Sequence, residues 1–145
     1  MRGFLHGVGY AAWIAKEIFV AGFQAVAAAF NPATTFEPIV IYYPLRVNTD
    51  WDVFWFSTSI TATPGTLSMG LRHPVASDGP MTLLVQAAFG HDPEDVIAGL
   101  ADMEEHLRPS LRNRPLDPAT VAWEPYVDHG PDTDSDNVPP AERMV

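Results

Sequence analysis

The sequence predicts an α+β protein in which an N-terminal transmembrane helix precedes a small domain and a disordered acidic tail. Three observations support this prediction. The chain opens with an apolar stretch free of proline, continues with short segments in the order strand, helix, strand, strand, helix, and ends in proline and acid. We therefore divide it into a membrane helix (1–30), a small α+β domain (36–112) and a disordered acidic tail (113–145).

The apolar stretch Phe4–Phe30 is too long for a strand and ends at Asn31-Pro32, which predicts one helix. Its length of roughly 40 Å exceeds the ~30 Å core of a bilayer. Lys16 and Glu17 lie in its middle, where a charge costs roughly 2.5–3.5 kcal/mol on insertion. Because adjacent side chains point in different directions, we expect these two not to pair, but to face other helices or a membrane interface. A helix buried in a soluble core is the alternative, although so short a chain offers little core.

Small residues recur every four positions along this helix, at Gly3, Gly7, Ala11 and Ala15. Rows of small residues let helix backbones approach closely, which is how helices associate within lipid. We therefore interpret this face as a helix-packing surface. The frequency of alanine in helices explains the row equally well.

The next segments predict a strand, a helix and a tight turn. Pro38–Pro44 is rich in β-branched and aromatic residues between two prolines, which is typical of a strand. Polar residues before Trp51–Ile60 offer cap oxygens to a second helix, and they are Asn48, Thr49 and Asp50. Thr63-Pro64-Gly65-Thr66 places proline and glycine where a type II turn requires them.

A hairpin and a last helix complete the predicted domain. The runs Thr66–Arg72 and Met81–Phe89 flank the turn-rich stretch His73–Pro80, which favours an antiparallel pair of strands. Asp92 followed by Pro93 and two acids begins a helix that Pro109 ends. Its apolar residues recur at helical spacing and predict one face laid on the sheet: Val96, Ile97, Leu100, Met103 and Leu107.

Composition and motifs argue against several functions. The 18 acidic residues outnumber 8 basic ones, which disfavours a nucleic-acid partner. The absence of cysteine excludes disulfides and thiolate metal sites. Asp132, Asp134 and Asp136 match the first ligands of a calcium loop, but Asn137 and Arg143 stand where glycine and glutamate are needed. We predict no cofactor and no metal site.

No nucleotide-binding, hydrolase or zinc-protease motif occurs in the sequence. His91 beside Asp92 resembles a catalytic dyad, but the approach to a helix cap explains it more simply. A hydroxyl-rich patch around Thr61 has no general base nearby in sequence. We therefore predict no catalytic residue, and an enzyme using this patch is a remote alternative.

The stretch Ser57–Ser68 reads STSITATPGTLS and resembles the signature A-x-x-I-T-L-T-P-G-T-L-T of the E subunit of multi-subunit Na⁺/H⁺ (monovalent cation:proton) antiporters, the Mrp or Mnh type. The resemblance extends from about residue 10 to about residue 108. Its core residues are Thr61, Thr63, Pro64, Gly65 and Thr66, which we interpret as a structural motif. Other segments that agree are Lys16-Glu17, Gln24-Ala25-Val26-Ala27, Tyr43-Pro44-Leu45-Arg46, Asp50-Trp51, Leu83-Leu84-Val85 and Asp92-Pro93-Glu94-Asp95.

The resemblance implies a non-catalytic membrane subunit that is needed for assembly or activity of a complex in Na⁺/H⁺ exchange and pH homeostasis. Its implied partners are the other antiporter subunits and membrane lipid, at the cell membrane, with the C-terminal domain in the cytoplasm. The family usually carries a further N-terminal pair of membrane helices, and we expect this chain to begin after them, as a short form or from a misplaced start. Gln86 stands where the family often has histidine.

A free-standing α+β binding module is the main alternative. In that interpretation the apolar N-terminus is a peripheral anchor or part of a dimer interface. Extraction with salt or carbonate distinguishes the two, since an integral helix requires detergent.

Overall fold

The computed structural model describes residues 2–30, 36–74 and 79–127. The predicted N-terminal helix is confirmed as α1, Arg2–Phe30. Within the described ranges, however, no helix is both long and apolar enough to cross a membrane, so the predicted span is not confirmed.

The α+β domain follows in the predicted order. It consists of β1 (Ile39–Pro44), α2 (Asp50–Ala62), β2 (Thr66–Arg72), β3 (Thr82–Ala87) and α3 (Pro93–Leu107). The antiparallel pairing of β2 with β3 is confirmed, with a β-bulge between Ser68 and Gly70. β1 lies antiparallel on the other side of β3.

The chain beyond α3 stays within the fold. It forms the 3₁₀ helices Pro109–Asn113 and Pro118–Thr120 and then β4, Trp123–Pro125, which pairs with β1. The sheet order is thus β2-β3-β1-β4. The prediction of a disordered tail from residue 113 is therefore wrong for residues 113–127, because hydrogen bonds to β1 and burial of Val121 compensate for ordering them. Residues 128–145, with the three aspartates weighed as calcium ligands, lie outside the described residues.

The core lies between the sheet and the helices α2 and α3. Alternate residues of β1 and β3 point into it, as the period of a strand requires. The predicted apolar face of α3 is confirmed, with Val96 and Leu107 packed at its margin. The core residues from these elements are Ile39, Ile41, Tyr43, Val53, Phe56, Ile60, Leu83, Val85, Ala87, Ile97, Leu100 and Met103.

Both predicted helix starts are confirmed. Thr49 caps α2 by accepting a hydrogen bond from the backbone N–H of Asp52, and Asp92 caps α3 by accepting one from Asp95. The Asp92 side chain is thus engaged as a helix cap, which explains its place beside His91 without a catalytic dyad.

α1 contacts the two helices of the domain. The hydroxyls of Tyr10 and Ser59 share a hydrogen bond of 2.8 Å, which joins α1 to α2. The rings of Trp13 and His106 stack with centroids 4.1 Å apart, which joins α1 to α3.

Lys16 and Glu17 do pair with each other, so the expectation that they would not is wrong. Lys16 Nζ lies 3.2 Å from Glu17 Oε1, and the Lys16 side chain is 70% exposed. Long flexible side chains bend towards each other even where their Cα–Cβ bonds diverge. An exposed pair of this kind contributes at most about 1 kcal/mol to stability.

Candidate functional site

The predicted type II turn is confirmed at the end of α2. Gly65 has a φ of 94°, and the N–H of Thr66 donates to the carbonyl of Thr63 at 3.3 Å. The carbonyl of Gly65 accepts from the N–H of Ala88 at 2.8 Å, which ties the turn to the end of β3. A Cβ on Gly65 would lie 3.1 Å from the ring of Phe89. Both the backbone conformation and the neighbouring ring therefore call for glycine.

The threonine hydroxyls around this turn are engaged in hydrogen bonds to the backbone. Thr61 donates to the carbonyl of Ser57 at 3.1 Å, and Thr63 donates to that of Ser59 at 2.9 Å. Thr66 donates to the carbonyl of Ile60 at 2.8 Å. The carbonyls of Ser59 and Ile60 also accept from the backbone N–H of Thr63, so these hydroxyls add further hydrogen bonds to the last turn of α2. The hydrogen bonds of these hydroxyls fit a structural role at the end of α2 better than the role of a catalytic nucleophile.

The small-residue face of α1 is exposed where the structure describes it. Gly7, Ala11 and Ala15 are exposed, and a Cβ on Gly7 would meet no atom within 4 Å. Gly3 belongs to α1, but its exposure lies outside what is described. Glu17 lies elsewhere, lining a hollow of about 340 Å³ together with Thr63 and Pro64 of the turn. The structure thus brings Glu17, one of the two predicted charges, next to the turn motif. The small-residue face does not line this hollow.

Gly7 and Ala11 of this face also line a groove of about 570 Å³ between α1 and α2. Three exposed aromatic residues of α2 pack on one another near it, Trp51, Phe54 and Trp55. Exposed apolar area of this kind marks contact with another molecule more often than an isolated apolar side chain does. The groove is lined by Gly7, Tyr10, Ala11, Ile14, Ile18, Trp51, Asp52, Trp55, Thr58, Ser59, Ala62, Leu107 and Arg108.

Sequence reasoning missed a buried ion pair between Arg46 and Glu104. Glu104 is fully buried, and its Oε2 lies 2.7 Å from Nε of Arg46. Arg46 also contacts Glu105 at 3.0 Å. Helical spacing could have revealed this pair, because Glu104 lies four residues after Leu100 on the predicted apolar face of α3.

The contacts around this ion pair shift the pKa values of Tyr43 and Arg46. Burial raises the pKa of Tyr43, and the negative charge of Glu104 raises it further. Burial works to lower the pKa of Arg46, but the hydrogen bonds from its guanidinium to Glu105 and Glu104, and the nearby negative charge, outweigh it and raise the pKa. Both groups therefore keep their protons at physiological pH.

A second ion pair, between Arg108 and Asp52, is part of the lining of the groove. Arg108 Nη2 lies 2.7 Å from Oδ1 of Asp52, whose other oxygen accepts from the hydroxyl of Thr49. Burial works to raise the pKa of Asp52, but the hydrogen bonds from Arg108 and Thr49 and the charge of Arg108 lower it overall. Within the described ranges, no three His, Asp or Glu side chains are placed to hold a metal ion.

Comparison with known proteins agrees with these features. The family described as "Na+/H+ ion antiporter subunit" matches residues 1–109, which covers α1 and nearly all of the α+β domain. The helix and the domain together thus match a class of ion-antiporter subunits. The chain belongs to the Na⁺/H⁺ ion antiporter subunit family.

Individual relatives are described as E subunits of Na(+)/H(+) antiporters, which confirms the resemblance. The E subunit from Alkalihalophilus pseudofirmus is 32% identical over 90 residues, covering 62% of this chain and 54% of the relative. That of Bacillus subtilis is 26% identical over 97 residues, covering 67% of this chain and 56% of the relative. The chain thus spans little more than half the length of these relatives.

A solved structure supports the same assignment. A chain in the structure of the Mrp complex from Dietzia sp. DQ12-45-1b is 28% identical, with a TM-score of 0.56. The match covers 72% of this chain and 94% of that chain. The α+β fold is therefore shared with a component of an Mrp complex.

Proposed function

We propose that this chain is a non-catalytic membrane subunit of a multi-subunit cation:proton antiporter, needed for assembly or activity of the complex in Na⁺/H⁺ exchange and pH homeostasis. The observation that carries the proposal is the family match over residues 1–109, since it includes the helix and the domain together. The partners are the other antiporter subunits.

The non-catalytic role is supported by the ionisable side chains. An ion path needs such groups inside membrane segments, where they are costly and retained for function. In α1 the charged pair Lys16 and Glu17 is satisfied by its own contact. The buried carboxylate Glu104 is held by Arg46 in the α+β domain. The ion path therefore belongs to other subunits.

The location we propose is the cell membrane, with α1 against lipid and neighbouring helices and the α+β domain in the cytoplasm. Its support is the exposed apolar surface of α1, on which Phe19 is 70% exposed, Phe23 76% and Phe30 84%. The small-residue face Gly3, Gly7, Ala11 and Ala15 then lies against a helix of a neighbouring subunit.

The test is expression of the full set of antiporter subunits with and without this chain. Native gel electrophoresis measures the assembled complex, and Na⁺-driven proton movement in everted vesicles measures exchange. We expect omission to reduce assembly, or to leave assembly intact and reduce exchange. Normal assembly together with normal exchange would overturn the proposal.

A free-standing binding module remains the second candidate, favoured by the way α1 packs on its own domain through Tyr10 and Trp13. In that case the chain leaves membranes on washing with carbonate at high pH. A membrane subunit stays until detergent is added, so extraction distinguishes the two.

A further inference from the structure

The domain is in contact with one side of α1 over about three turns of the helix. Tyr10 forms its hydrogen bond with α2, and Trp13 stacks on α3 and packs against the hydrophobic core. Further along α1, Glu17 and Ala21 line the hollow of about 340 Å³ that α1 shares with α3. The contact therefore extends from Tyr10 to Ala21, which is roughly 16 Å of helix at 1.5 Å per residue.

This contact is incompatible with a transmembrane position of α1. It takes up more than half of the ~30 Å that a helix crosses in the hydrocarbon core of a bilayer. The domain surface beside α1 carries acidic and basic side chains, among them Asp102, which is 59% exposed, and Arg108, which is paired with Asp52 and 50% exposed. Such side chains and the backbone groups of a sheet edge are costly in hydrocarbon. While α1 keeps its contacts with the domain, it therefore cannot stand across a bilayer.

A row of apolar side chains runs along the opposite side of α1. With 3.6 residues per turn, this row points away from Tyr10 and Glu17, which face the domain. Its phenylalanines protrude, since Phe19 is 70% exposed, Phe23 76% and Phe30 84%. None of the side chains in the row is charged or able to form a hydrogen bond. The row extends over roughly 33 Å and consists of Val8, Ala12, Phe19, Phe23, Val26 and Phe30.

The composition of this apolar row fits hydrocarbon better than a protein surface. Protein interfaces have a polar rim and about one hydrogen bond per 100–200 Å². Helices that pack on one another in lipid do so through small residues, whereas this row carries large ones. Phenylalanine on the apolar face is typical of helices that lie in the plane of a membrane interface. The small residues Gly7, Ala11 and Ala15 lie on the flank of the row, so a partner helix and the bilayer do not compete for the same side chains.

We infer that α1 lies along the surface of the membrane, with the apolar row at the boundary between headgroups and acyl chains and the domain on the water side. The inference rests on the membrane location proposed above. Lys16, whose side chain is 70% exposed, then lies between the row and the domain, at the level of the headgroups. Lys16 and Glu17 stay in contact with water there, so the cost of placing charges at the centre of a spanning helix does not arise.

The depth of the apolar row in vesicles tests this position. Because the chain contains no cysteine, Val8→Cys, Phe19→Cys, Phe23→Cys and Phe30→Cys each carry a single spin label. Accessibility of the label to oxygen and to a nickel chelate measures its depth in vesicles of phosphatidylcholine and phosphatidylglycerol. We expect similar depths at all four positions.

A spanning helix would instead give the greatest depth near Phe19 and shallow labels at Val8 and Phe30, which are roughly 33 Å apart along the axis. That result would overturn the inference and leave the membrane location intact. A chain that does not bind the vesicles would overturn the membrane location as well. None of these measurements requires the other subunits, so a failure of the proposed subunit function would be seen separately.

A cross-link tests whether α1 binds the membrane while it is held by the domain. Tyr10→Cys with Ser59→Cys places thiols on the two sides of the contact between α1 and α2, and a short bismaleimide joins them through two thioether bonds. The linked chain should bind the vesicles as well as the unlinked chain does. Loss of binding on linking would show that α1 leaves the domain to enter the bilayer, which would overturn the inference. Tyr10→Cys alone, treated with the same reagent, is the control.

Substitutions in the apolar row test its contact with lipid. Phe23→Ala and Phe30→Ala each remove one exposed ring and should weaken binding to the vesicles about tenfold. Trp123→Ala removes an exposed ring from β4 and should leave binding unchanged. Equal effects of the three substitutions would overturn the role of the row. A dimer that forms without lipid and is lost in Phe23→Ala would show that a second copy covers the row, and the inference would then fail.

Discussion

The buried carboxylate of Glu104 is held by the guanidinium of Arg46, with 2.7 Å between Oε2 and Nε. It also accepts hydrogen bonds from the backbone N–H groups of Arg46 and Val47 and from the hydroxyl of Tyr43. These donors use the acceptor positions that a carboxylate offers. Since Arg46 lies between β1 and α2, one side chain of α3 positions the connection that leads into α2.

Loss of the Arg46 charge should be strongly destabilising. Arg46→Met leaves Glu104 charged and buried, which costs roughly 3–5 kcal/mol of unfolding free energy. Adding Glu104→Gln should recover part of this loss, because a neutral amide oxygen still accepts from the backbone. Urea unfolding of the purified chain in mild detergent measures both. A double variant no more stable than Arg46→Met would contradict this account.

The pair formed by Asp52 and Arg108 should make stability depend on pH in the acid range. The pKa of Asp52 is lowered in the folded state, so the folded chain binds fewer protons than the unfolded chain. The stabilisation is complete above the unfolded pKa of about 3.9 and is lost as the pH falls through the lower folded value. Asp52→Asn should therefore flatten the stability profile below about pH 4.

Thermal unfolding between pH 2 and pH 7 measures this profile. Asp50→Asn, at the exposed neighbouring position, is the control and should leave its shape intact. Equal changes in the two variants would show that the effect is one of net charge.

Gly65→Val should lower the amount of assembled complex. Valine is strained at a φ of 94°, and its side chain would press on the ring of Phe89. Gly99→Ala is a suitable control, because a Cβ at Gly99 meets no atom within 4 Å. The measurement is complex recovered by affinity purification. Normal recovery with selective loss of ion exchange would instead indicate a direct role of the turn in transport.

Ala15→Leu should weaken assembly if the small-residue face of α1 packs on a partner helix. Ala15 is exposed and does not line the groove, so the substitution tests the face without filling the groove. Gly7→Leu should act in the same direction, while Val8→Leu on a neighbouring face should matter less. Co-purification of the other subunits in mild detergent compares the variants. If all variants retain the partners equally, the row of small residues reflects only the amino-acid composition of α1 and is not a packing surface.

Two truncations of the C-terminal region should have different effects. Ending at Arg112 removes β4 and the buried Val121, and should destabilise the domain. Ending at Gly130 should leave stability and complex formation unchanged, because residues 128–145 are mostly polar, acidic or proline. Loss of assembly on ending at Gly130 would show that the last residues bind a partner.

Local patterns in the sequence determined the helices, the strands β1 to β3, both helix caps and the type II turn. Each of these depends on residues within a few positions of one another, as with Asp92 before Pro93 or Gly65 after Pro64. The hydrophobic period of α3 likewise predicted which of its residues enter the core. For these elements no distant partner is required to choose the conformation.

The tertiary structure alone decided the features that join distant segments. Trp123 meets Ile41 in the sheet and Arg46 meets Glu104 in the core, across separations that no local pattern reports. Lys16 and Glu17 show the opposite case, where neighbours in sequence were expected to diverge and side-chain flexibility let them pair. A stretch rich in proline and acid is ordered once another strand supplies hydrogen bonds and a core receives its few apolar side chains.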